Sequence, residues 1–241
     1  MNDLCFKDLQ INSNDPVKSF LYETHLHTSP VSKCASASVK DSLEFYKSIG
    51  YDGVFITNHF IDGNINADES LSYEDRIKYY FSDYEQGLEI GKKIGLKVFL
   101  GIESSFMGTD FLIYGLDKEW FLEHSEIESL KKRSALEFMA SCGALIIQAH
   151  PFREASYIDH IRLFPRSVHG VEVYNACRND LENSMARIYA QNYKLIEFAG
   201  SDNHQGAKQT KLSGMRSATP IKDEFDFIMR VKNGEMKPFI Y

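Results

Sequence analysis

The stretch Tyr22-Glu23-Thr24-His25-Leu26-His27-Thr28 decides how the rest of the chain is interpreted. Alternate residues of an extended strand point to the same face, so His25 and His27 are predicted to lie side by side. The apolar run 20–22 precedes them, which places the pair where a buried strand ends. Two neutral imidazoles on one face can bind a metal ion, and a half-buried strand with outward polar side chains is the alternative.

The composition is that of an ordinary globular protein. With 241 residues, of which 43% are hydrophobic and 25% charged, the chain is long enough for one α/β barrel. The net charge of −7, from 34 acidic and 27 basic residues, argues against long nucleic acid as a partner, because that requires a basic face. A small phosphorylated partner is compatible with this charge, since bound metal ions reverse it locally.

The spacing of the cysteines and the lack of long apolar segments indicate the cellular compartment. The four cysteines, at positions 5, 34, 142 and 177, lack Cys-x-x-Cys spacing, so neither a zinc knuckle nor a dithiol motif is indicated. Cys142 is expected to be buried in a helix, and Cys34 to fill a loop after the histidine pair, with an approach to the site as the alternative. Residues 1–20 have no apolar signal-peptide core, and no run of about 18 apolar residues exists. We therefore expect a soluble, cytoplasmic protein with reduced thiols that does not enter a membrane.

Apolar runs alternate with helical patterns along the chain. The strand candidates are 20–27, 51–57, 97–102, 111–115, 144–149, 171–174 and 195–200. The helix candidates follow capping-box serines at 38, 72 and 125 or cover 180–193 and 225–231. Strands separated by helices are expected to be parallel. No linker or repeat divides the sequence, so we predict one α/β domain over 1–241, a (β/α) barrel with fewer than eight regular strands and an N-terminal extension at 1–19.

Metal-binding residue types stand where these strands end. They are His25, His27, His59, Glu103, His150, Asp202 and His204. Active sites of parallel barrels collect at the carboxyl ends of the strands, so five separate segments are predicted to meet there. Imidazole combined with carboxylate suits Zn, Mn or Fe, which predicts a centre with more than one ion. His124, His160 in a predicted helix, and His169 are expected to be solvated or locally hydrogen-bonded.

These motifs resemble those of the polymerase and histidinol phosphatase (PHP) family of metal-dependent phosphoesterases. In chain order they are His25-x-His27-Thr28, Ile56-Thr57-Asn58-His59, Gly101-Ile102-Glu103, His150-Pro151 and Gly200-Ser201-Asp202-Asn203-His204. The resemblance covers about residues 20–204. It implies a distorted (β/α)7 TIM-like barrel that holds two or three divalent ions, Zn, Mn or Fe.

The resemblance also implies a role for each residue. One ion would be held by His25, His27, Glu103 and Asp202. Glu103 would bridge to a second ion shared with His150, and a third ion would be held by His59 and His204.

The chain departs from the family pattern at three positions. Asn58 precedes His59 where the family usually has aspartate. Asp110 stands where histidine is common, and we expect it to bind the second ion as a carboxylate. Lys33 occupies a further ligand position, where its charge would partly replace the third ion.

Two adjacent ions that generate hydroxide at neutral pH predict the hydrolysis of a phosphate ester. The candidate catalytic residues are Glu103, His150 and Asp202, and the candidate phosphate-binding residues are Arg153, Arg178 and Lys33. Arg153 is favoured because arginine can bind phosphate through two parallel hydrogen bonds.

The predicted substrate is a small phosphomonoester, either histidinol-phosphate-like or a nucleotide, or a nucleotide phosphodiester. The alternatives are hydrolysis of a C–N bond by an amidohydrolase-type centre, and a metal-binding regulatory domain without turnover. The loops 60–71 and 205–219 are expected to shape the pocket, and the sequence predicts no oligomeric state.

Overall fold

A nearly closed, barrel-shaped sheet forms the centre of the protein. The computed structural model describes residues 6–11 and 19–241. Within these residues the strands are β1 (Phe20–Leu26), β2 (Gly53–Ile56), β3 (Lys97–Phe106), β4 (Thr109–Tyr114), β5 (Leu145–Ala149), β6 (Gly170–Asn175), β7 (Ile196–Gly200), β8 (Ser213–Ser217) and β9 (Met236–Ile240). The helices are α1 (Val39–Ser48), α2 (Tyr73–Ile94), α3 (Lys118–Glu123), α4 (Lys132–Ser141), α5 (Asp180–Tyr193) and α6 (Glu224–Lys232). The α/β barrel and all seven predicted strands are confirmed.

One strand runs against the predicted direction. The sheet order is β7-β6-β5-β4-β3-β2-β1-β8-β9, and β4 is antiparallel to both β3 and β5. The expectation of parallel strands throughout is wrong here, because a two-residue hairpin turn, with no crossover helix, joins β3 to β4. Its two turn residues, Met107 and Gly108, have φ values of 50° and 82°, as a tight hairpin turn requires. The hairpin brings the start of β4 to the end of the barrel where β3 and β5 finish.

Two further strands lie beyond the seventh. β8 falls in the segment 205–219 that was predicted to be a loop, and β9 was not predicted at all. β8 pairs antiparallel with β1, and β9 pairs antiparallel with β8 at the edge of the sheet. The sequence Ser213-Gly214-Met215-Arg216-Ser217 has no apolar run, and Pro238 within β9 argues against a strand except at an edge.

The barrel closes where β7 meets β1. The backbone N–H of His27 donates to the carbonyl of Asn203 at 2.9 Å, and the N–H of Asn203 donates to the carbonyl of His25 at 3.2 Å. Gly200 permits this approach, because a Cβ added there would lie 2.5 Å from the Cβ of His25. The closure therefore places the first and last sequence motifs side by side.

Aromatic side chains fill the inside of the barrel. The rings of Tyr114 on β4 and Phe198 on β7 lie 5.7 Å apart, so opposite sides of the sheet are in contact. Phe227 of α6 packs 4.3 Å from the ring of Phe55 and also against Phe198. This packing anchors α6 to the barrel interior and fixes the spacing of the strands that carry the site.

The helix predictions are confirmed in part. Ser38 and Ser72 each accept a hydrogen bond, at 3.1 Å, from the backbone N–H three residues later, as predicted for α1 and α2. The third predicted helix is present as α4, but its predicted start at Ser125 is wrong, because Ser125–Glu128 form a 3-10 turn and α4 begins at Lys132. A helix that was not predicted, α3, precedes this turn, and Asp117 caps it by accepting a hydrogen bond from the N–H of Trp120.

Three smaller expectations have different outcomes. Cys142 is exposed at the end of α4, so its predicted burial is wrong. His160 lies in an irregular segment, without the predicted helix. The element-free extension at 1–19 lies partly outside the described residues, and its described part contains a 3-10 turn at Lys7–Leu9. None of the helices in the described part of the chain has the length and apolar character to cross a membrane.

Candidate metal centre

All eight predicted metal ligands lie together at one end of the barrel. Their donor atoms form four overlapping groups in which the members lie within 4.8 Å of one another. The groups are His25–His27–Glu103, His25–His150–Asp202, Glu103–Asp110–His150 and His27–His59–His204. Asp110 joins this cluster because β4 starts at this end of the barrel.

The innermost group surrounds Glu103. His25 Nε2 lies 3.1 Å from Glu103 Oε1, and His27 Nε2 lies 3.4 Å from Oε2 of the same carboxylate. Both Nε2 atoms are 3.5 Å from Asp202 Oδ1 and 3.1 Å from each other. Two imidazole nitrogens and two carboxylates thus converge on one point, as a metal site requires.

The other ring nitrogens of the pair are held by neighbours. His25 Nδ1 lies 2.9 Å from Glu172 Oε1, and His27 Nδ1 lies 3.1 Å from Ser32 Oγ. Partners of this kind fix the tautomer and orientation of a ligating histidine. Sequence reasoning missed both, although a charged residue within the apolar strand β6 was a signal for Glu172.

Glu23 connects the first and last motifs. Its buried carboxylate accepts hydrogen bonds from the N–H of His25 and of Ser201, each at 2.9 Å, and from the hydroxyl of Tyr46 at 2.7 Å. Burial raises the pKa of Glu23 to about 7, although the hydrogen bonds from Ser201 oppose the shift. Sequence reasoning placed no role on this residue.

Asn58 is a structural residue in this arrangement. Its Oδ1 accepts from the N–H of Thr28 at 2.6 Å and from Ser32 Oγ at 2.9 Å, and its Nδ2 donates to Asp83 Oδ2 at 3.1 Å. An aspartate at this position would bring two carboxylates together. Asparagine at position 58, where the family usually has aspartate, therefore suits the neighbouring carboxylate of Asp83. Asn58 does not belong to the cluster of metal-type donors.

The backbone at two site residues is left-handed. His150 has φ 25° and Asp202 has φ 53°, values that non-glycine residues adopt at a cost. Each follows the end of a strand, and the unusual conformation turns its side chain toward the cluster. Such strain is concentrated at functional sites, where surrounding contacts maintain it.

Two donor atoms in the cluster lack a hydrogen-bond partner. His59 Nδ1 and Glu103 Oε2 are both buried and 2.7 Å apart, yet neither makes a hydrogen bond of acceptable geometry within the described chain. Unsatisfied buried polar atoms are rare in native proteins and call for a partner. Since one donor is an imidazole and the other a carboxylate, a divalent cation fits this position.

The pKa values show how the cluster distributes charge. Burial lowers the pKa of His25, but the carboxylates of Glu172, Asp202 and Glu103 outweigh this and hold it well above its usual value. Burial and the neighbouring imidazoles hold the pKa of His27 well below its usual value. Burial opposes ionisation of Glu103, but the nearby imidazoles lower its pKa well below the ordinary range. Glu103 is therefore ionised, and its carboxylate favours a positive charge in the centre.

A cleft of about 640 Å³ opens over the cluster. Two of the predicted phosphate-binding residues, Arg153 and Arg178, line it, and Arg153 Nη2 lies 3.0 Å from Asp110 Oδ2. The Nε atoms of both arginines are buried without a hydrogen-bond partner among the residues described. Lys33 is exposed and lies outside the lining, where its neighbour Cys34 takes its place. The prediction that the charge of Lys33 acts in the site is thus not supported by its position.

The loops around the cleft differ from the expected pair. Segment 60–71 contributes Asp62, Gly63 and Asn64, whereas segment 205–219 contributes no lining residue. Its place is taken by the β3–β4 hairpin and by residues after β6. As expected, the remaining histidines lie elsewhere: His124 pairs with Glu126, and His169 accepts a hydrogen bond from the N–H of Ile146.

Comparisons with known proteins identify the fold. No protein-family model matches the sequence, and no curated protein does. Among solved structures, the chain is similar over 97% of its length to 68% of a two-domain protein from Bacteroides vulgatus containing a predicted PHP-like metal-dependent phosphoesterase, with 15% identity and a TM-score of 0.67. The fold is therefore that of the PHP-like barrels, and the resemblance predicted from the motifs is confirmed at this level.

Two further structures share the fold. A protein from Bifidobacterium adolescentis, whose assignment as a metal-dependent phosphoesterase is itself a prediction, matches 81% of this chain over 92% of its own, with 13% identity and a TM-score of 0.53. An amidohydrolase from Chromobacterium violaceum with bound sulfate and no metal matches 90% of this chain over 97% of its own, with 11% identity and a TM-score of 0.50. Identities this low establish the fold alone.

Proposed function

We propose that this protein is a metal-dependent hydrolase of a small phosphoric ester, either a monoester or a nucleotide phosphodiester. One observation carries the proposal: a cluster of imidazoles and carboxylates lies in a cleft that two arginines, Arg153 and Arg178, also line. Metal-binding side chains beside guanidinium groups form a site for an anion that is attacked by water.

The residues divide into roles. His25, His27, Glu103 and Asp202 would hold one ion, Glu103 with Asp110 and His150 a second, and His59 with His204 a third. When bound, divalent ions would acidify water to a pKa of about 7 and neutralise phosphate charge. Arg153 and Arg178 would donate hydrogen bonds to phosphate oxygens and orient the ester above the cluster. Glu172 would keep His25 in the tautomer that presents Nε2.

The size and charge of the cleft favour a small substrate. A volume of about 640 Å³ is within the range of small-molecule pockets. The net charge of −7 disfavours a long polyanion, while the arginines attract a single phosphate group. Two structures with this fold, both assigned as metal-dependent phosphoesterases by prediction, support the same reaction class.

The proposal is tested on the whole chain, stripped of metal and then reloaded with Mn²⁺, Zn²⁺ or Fe²⁺. A panel of aryl phosphate monoesters, aryl diesters and nucleotides is assayed for phosphate release. We expect hydrolysis by the loaded protein and none by the metal-free protein or by Glu103→Ala. A loaded protein that binds its ions but cleaves no ester would overturn the proposal.

Hydrolysis of a C–N bond is the second candidate. It is favoured by the shared fold of the sulfate-bound amidohydrolase. Adding cyclic and acyclic amides to the same panel separates the two reactions. Metal binding without any turnover would favour the regulatory alternative.

A further inference from the structure

Cys34 lies against the imidazoles at the outer edge of the metal centre. Its Sγ is 3.2 Å from His59 Nε2. Cys34 lines the same cleft as His59 and His204. The thiol therefore contacts one of the two residues to which the resemblance assigns the third ion and shares a cleft with the other.

The polar atoms around this position come from separate segments of the chain. The donor nitrogens of His27, His59 and His204 lie within 4.8 Å of one another, and the rings of His27 and His204 stack at 4.1 Å. Glu103 Oε2 lies 2.7 Å from His59 Nδ1, so the other ring nitrogen of His59, Nε2, is the one that faces Cys34. Imidazole nitrogens from three segments beside a thiol are donor types that bind Zn²⁺.

The backbone holds Cys34 in this place. The N–H of Ser36 donates to the carbonyl of His204 at 2.8 Å, and the N–H of Lys33 donates to the carbonyl of Asn64 at 3.0 Å. Ser32, two residues before Cys34, is buried and donates to Asn58, while the intervening Lys33 is exposed. Lys33 and Cys34 are both exposed, but Cys34 lines the cleft with its Sγ against His59, whereas Lys33 lies outside the lining.

We propose that Cys34, as a thiolate, binds a metal ion together with His59 and His204, and that this position prefers Zn²⁺ to Mn²⁺ or Mg²⁺. Binding would form a sulfur–metal bond and release the thiol proton to solvent. Thiolate with imidazole suits zinc in tetrahedral coordination, whereas Mn²⁺ and Mg²⁺ prefer oxygen ligands. The inference rests on the proposed metal centre and adds a ligand that the motif pattern does not contain.

The test uses Co²⁺ as a spectroscopic substitute for zinc in the whole, metal-free chain. We expect thiolate-to-cobalt charge-transfer absorption in the near ultraviolet for the wild type. Cys34→Ser should abolish that absorption and reduce bound Zn²⁺ by one ion per chain. Cys34→His should restore the ion without the absorption, which shows that the variant folds.

Cys177→Ser is the matched control. Cys177 lines the same cleft, but its Sγ faces the carbonyl of Asp202 at 3.3 Å and Gln209, so its removal should leave the absorption intact. X-ray absorption of the zinc-loaded wild type should show a sulfur neighbour at about 2.3 Å, with an amplitude of one sulfur per chain averaged over all bound zinc ions.

The outcomes separate this inference from the proposed function. If Co²⁺ binds without the charge-transfer absorption, or if the absorption persists in Cys34→Ser, Cys34 is not a thiolate ligand. Neither result bears on the proposed ester hydrolysis, which has a separate assay. A wild-type chain that binds no divalent ion would overturn both. A chain that shows the absorption but cleaves no ester would retain the thiolate site and lose only the hydrolase.

Discussion

At the scale of single residues, side chains outside the proposed ligand set hold those ligands in position. The carboxylate of Glu172 accepts a hydrogen bond from His25 Nδ1. It also accepts hydrogen bonds from the N–H of His150 at 3.1 Å and from Asn175 Nδ2 at 2.8 Å. One carboxylate therefore positions two proposed ligands from β1 and β5. The hydroxyl of Ser32 holds the Nδ1 of His27 in the same way. The orientation of His25 and His27 is therefore set before any ion binds.

Glu172→Ala should weaken metal binding about 10- to 100-fold, because His25 loses the partner that fixes its tautomer. Competition with a chromogenic chelator measures the affinity. Glu172→Gln keeps an oxygen acceptor for Nδ1 and should lose much less. Equal affinities for wild type and Glu172→Ala would show that Glu172 does not position His25.

Arg153→Ala should raise the KM for a phosphorylated substrate about 10-fold or more, since a hydrogen bond to a charged group contributes about 1.5–3 kcal/mol. Steady-state kinetics on the best ester of the panel gives the value. Arg133→Ala, which removes an arginine on the exposed face of α4, is the control and should not change KM. An unaltered KM for Arg153→Ala would remove this residue from phosphate binding.

At the scale of elements, the meeting of β1 and β7 creates the site. Their contact joins residues near 25 to residues near 203 through two backbone hydrogen bonds, and Glu23 adds a side-chain link to Ser201. The β3–β4 hairpin adds Asp110 to the same end of the barrel. Small changes in the spacing of these strands should therefore affect metal affinity as well as stability.

Gly200→Ala should reduce both properties. Its Cβ would lie 2.5 Å from the Cβ of His25 and 2.7 Å from Glu172 Oε1, and overpacking of this kind costs about 1–3 kcal/mol. Chemical denaturation and chelator competition measure the two effects. Gly91→Ala is the control, because its Cβ would meet Leu96 and Val98 away from the site. It should lose stability and keep metal affinity; the same loss of affinity in both variants would contradict the argument.

At the scale of the whole molecule, the proposed ligands come from the ends of β1, β2, β3, β5 and β7 and the start of β4. Ions bound among them would link strands that are distant in the sequence. In their absence, ionised carboxylates such as Glu103 and Asp202 lie close together in a buried place. Metal binding should thus be coupled to the stability of the complete barrel.

Removing metal with a chelator should lower the melting temperature by about 5–10 °C. Saturation at about 100 times the dissociation constant stabilises a protein by about 2.7 kcal/mol, and each kcal/mol shifts the midpoint by about 2–4 °C in a chain of this size. Differential scanning calorimetry with and without added Zn²⁺ or Mn²⁺ measures the change. His25→Ala should remove most of the difference. A melting temperature that does not change when metal is added would argue against a centre that spans the barrel.

The sequence by itself determined the α/β barrel, the seven core strands, and the eight ligand-type residues that the structure gathers at one end. It could do so because a short apolar run predicts a strand from neighbouring residues alone. The polar residue that ends the strand lies in the same short segment of sequence. The spacing of His25 and His27 and the ordered motifs up to His204 added the likeness to PHP-like barrels. These features need only the order of residues along the chain.

Only the tertiary structure decided the direction of β4, the pairing of β8 and β9, and the partners of the proposed ligands. Glu172 lies 147 residues from His25, so no local pattern could connect them. Lys33 and Cys34 are adjacent in the sequence, and only the folded loop, hydrogen-bonded to Asn64 and His204, places Cys34 in the cleft lining and Lys33 outside it. Contacts between distant segments depend on how the sheet closes, and that closure is set by packing across the whole barrel.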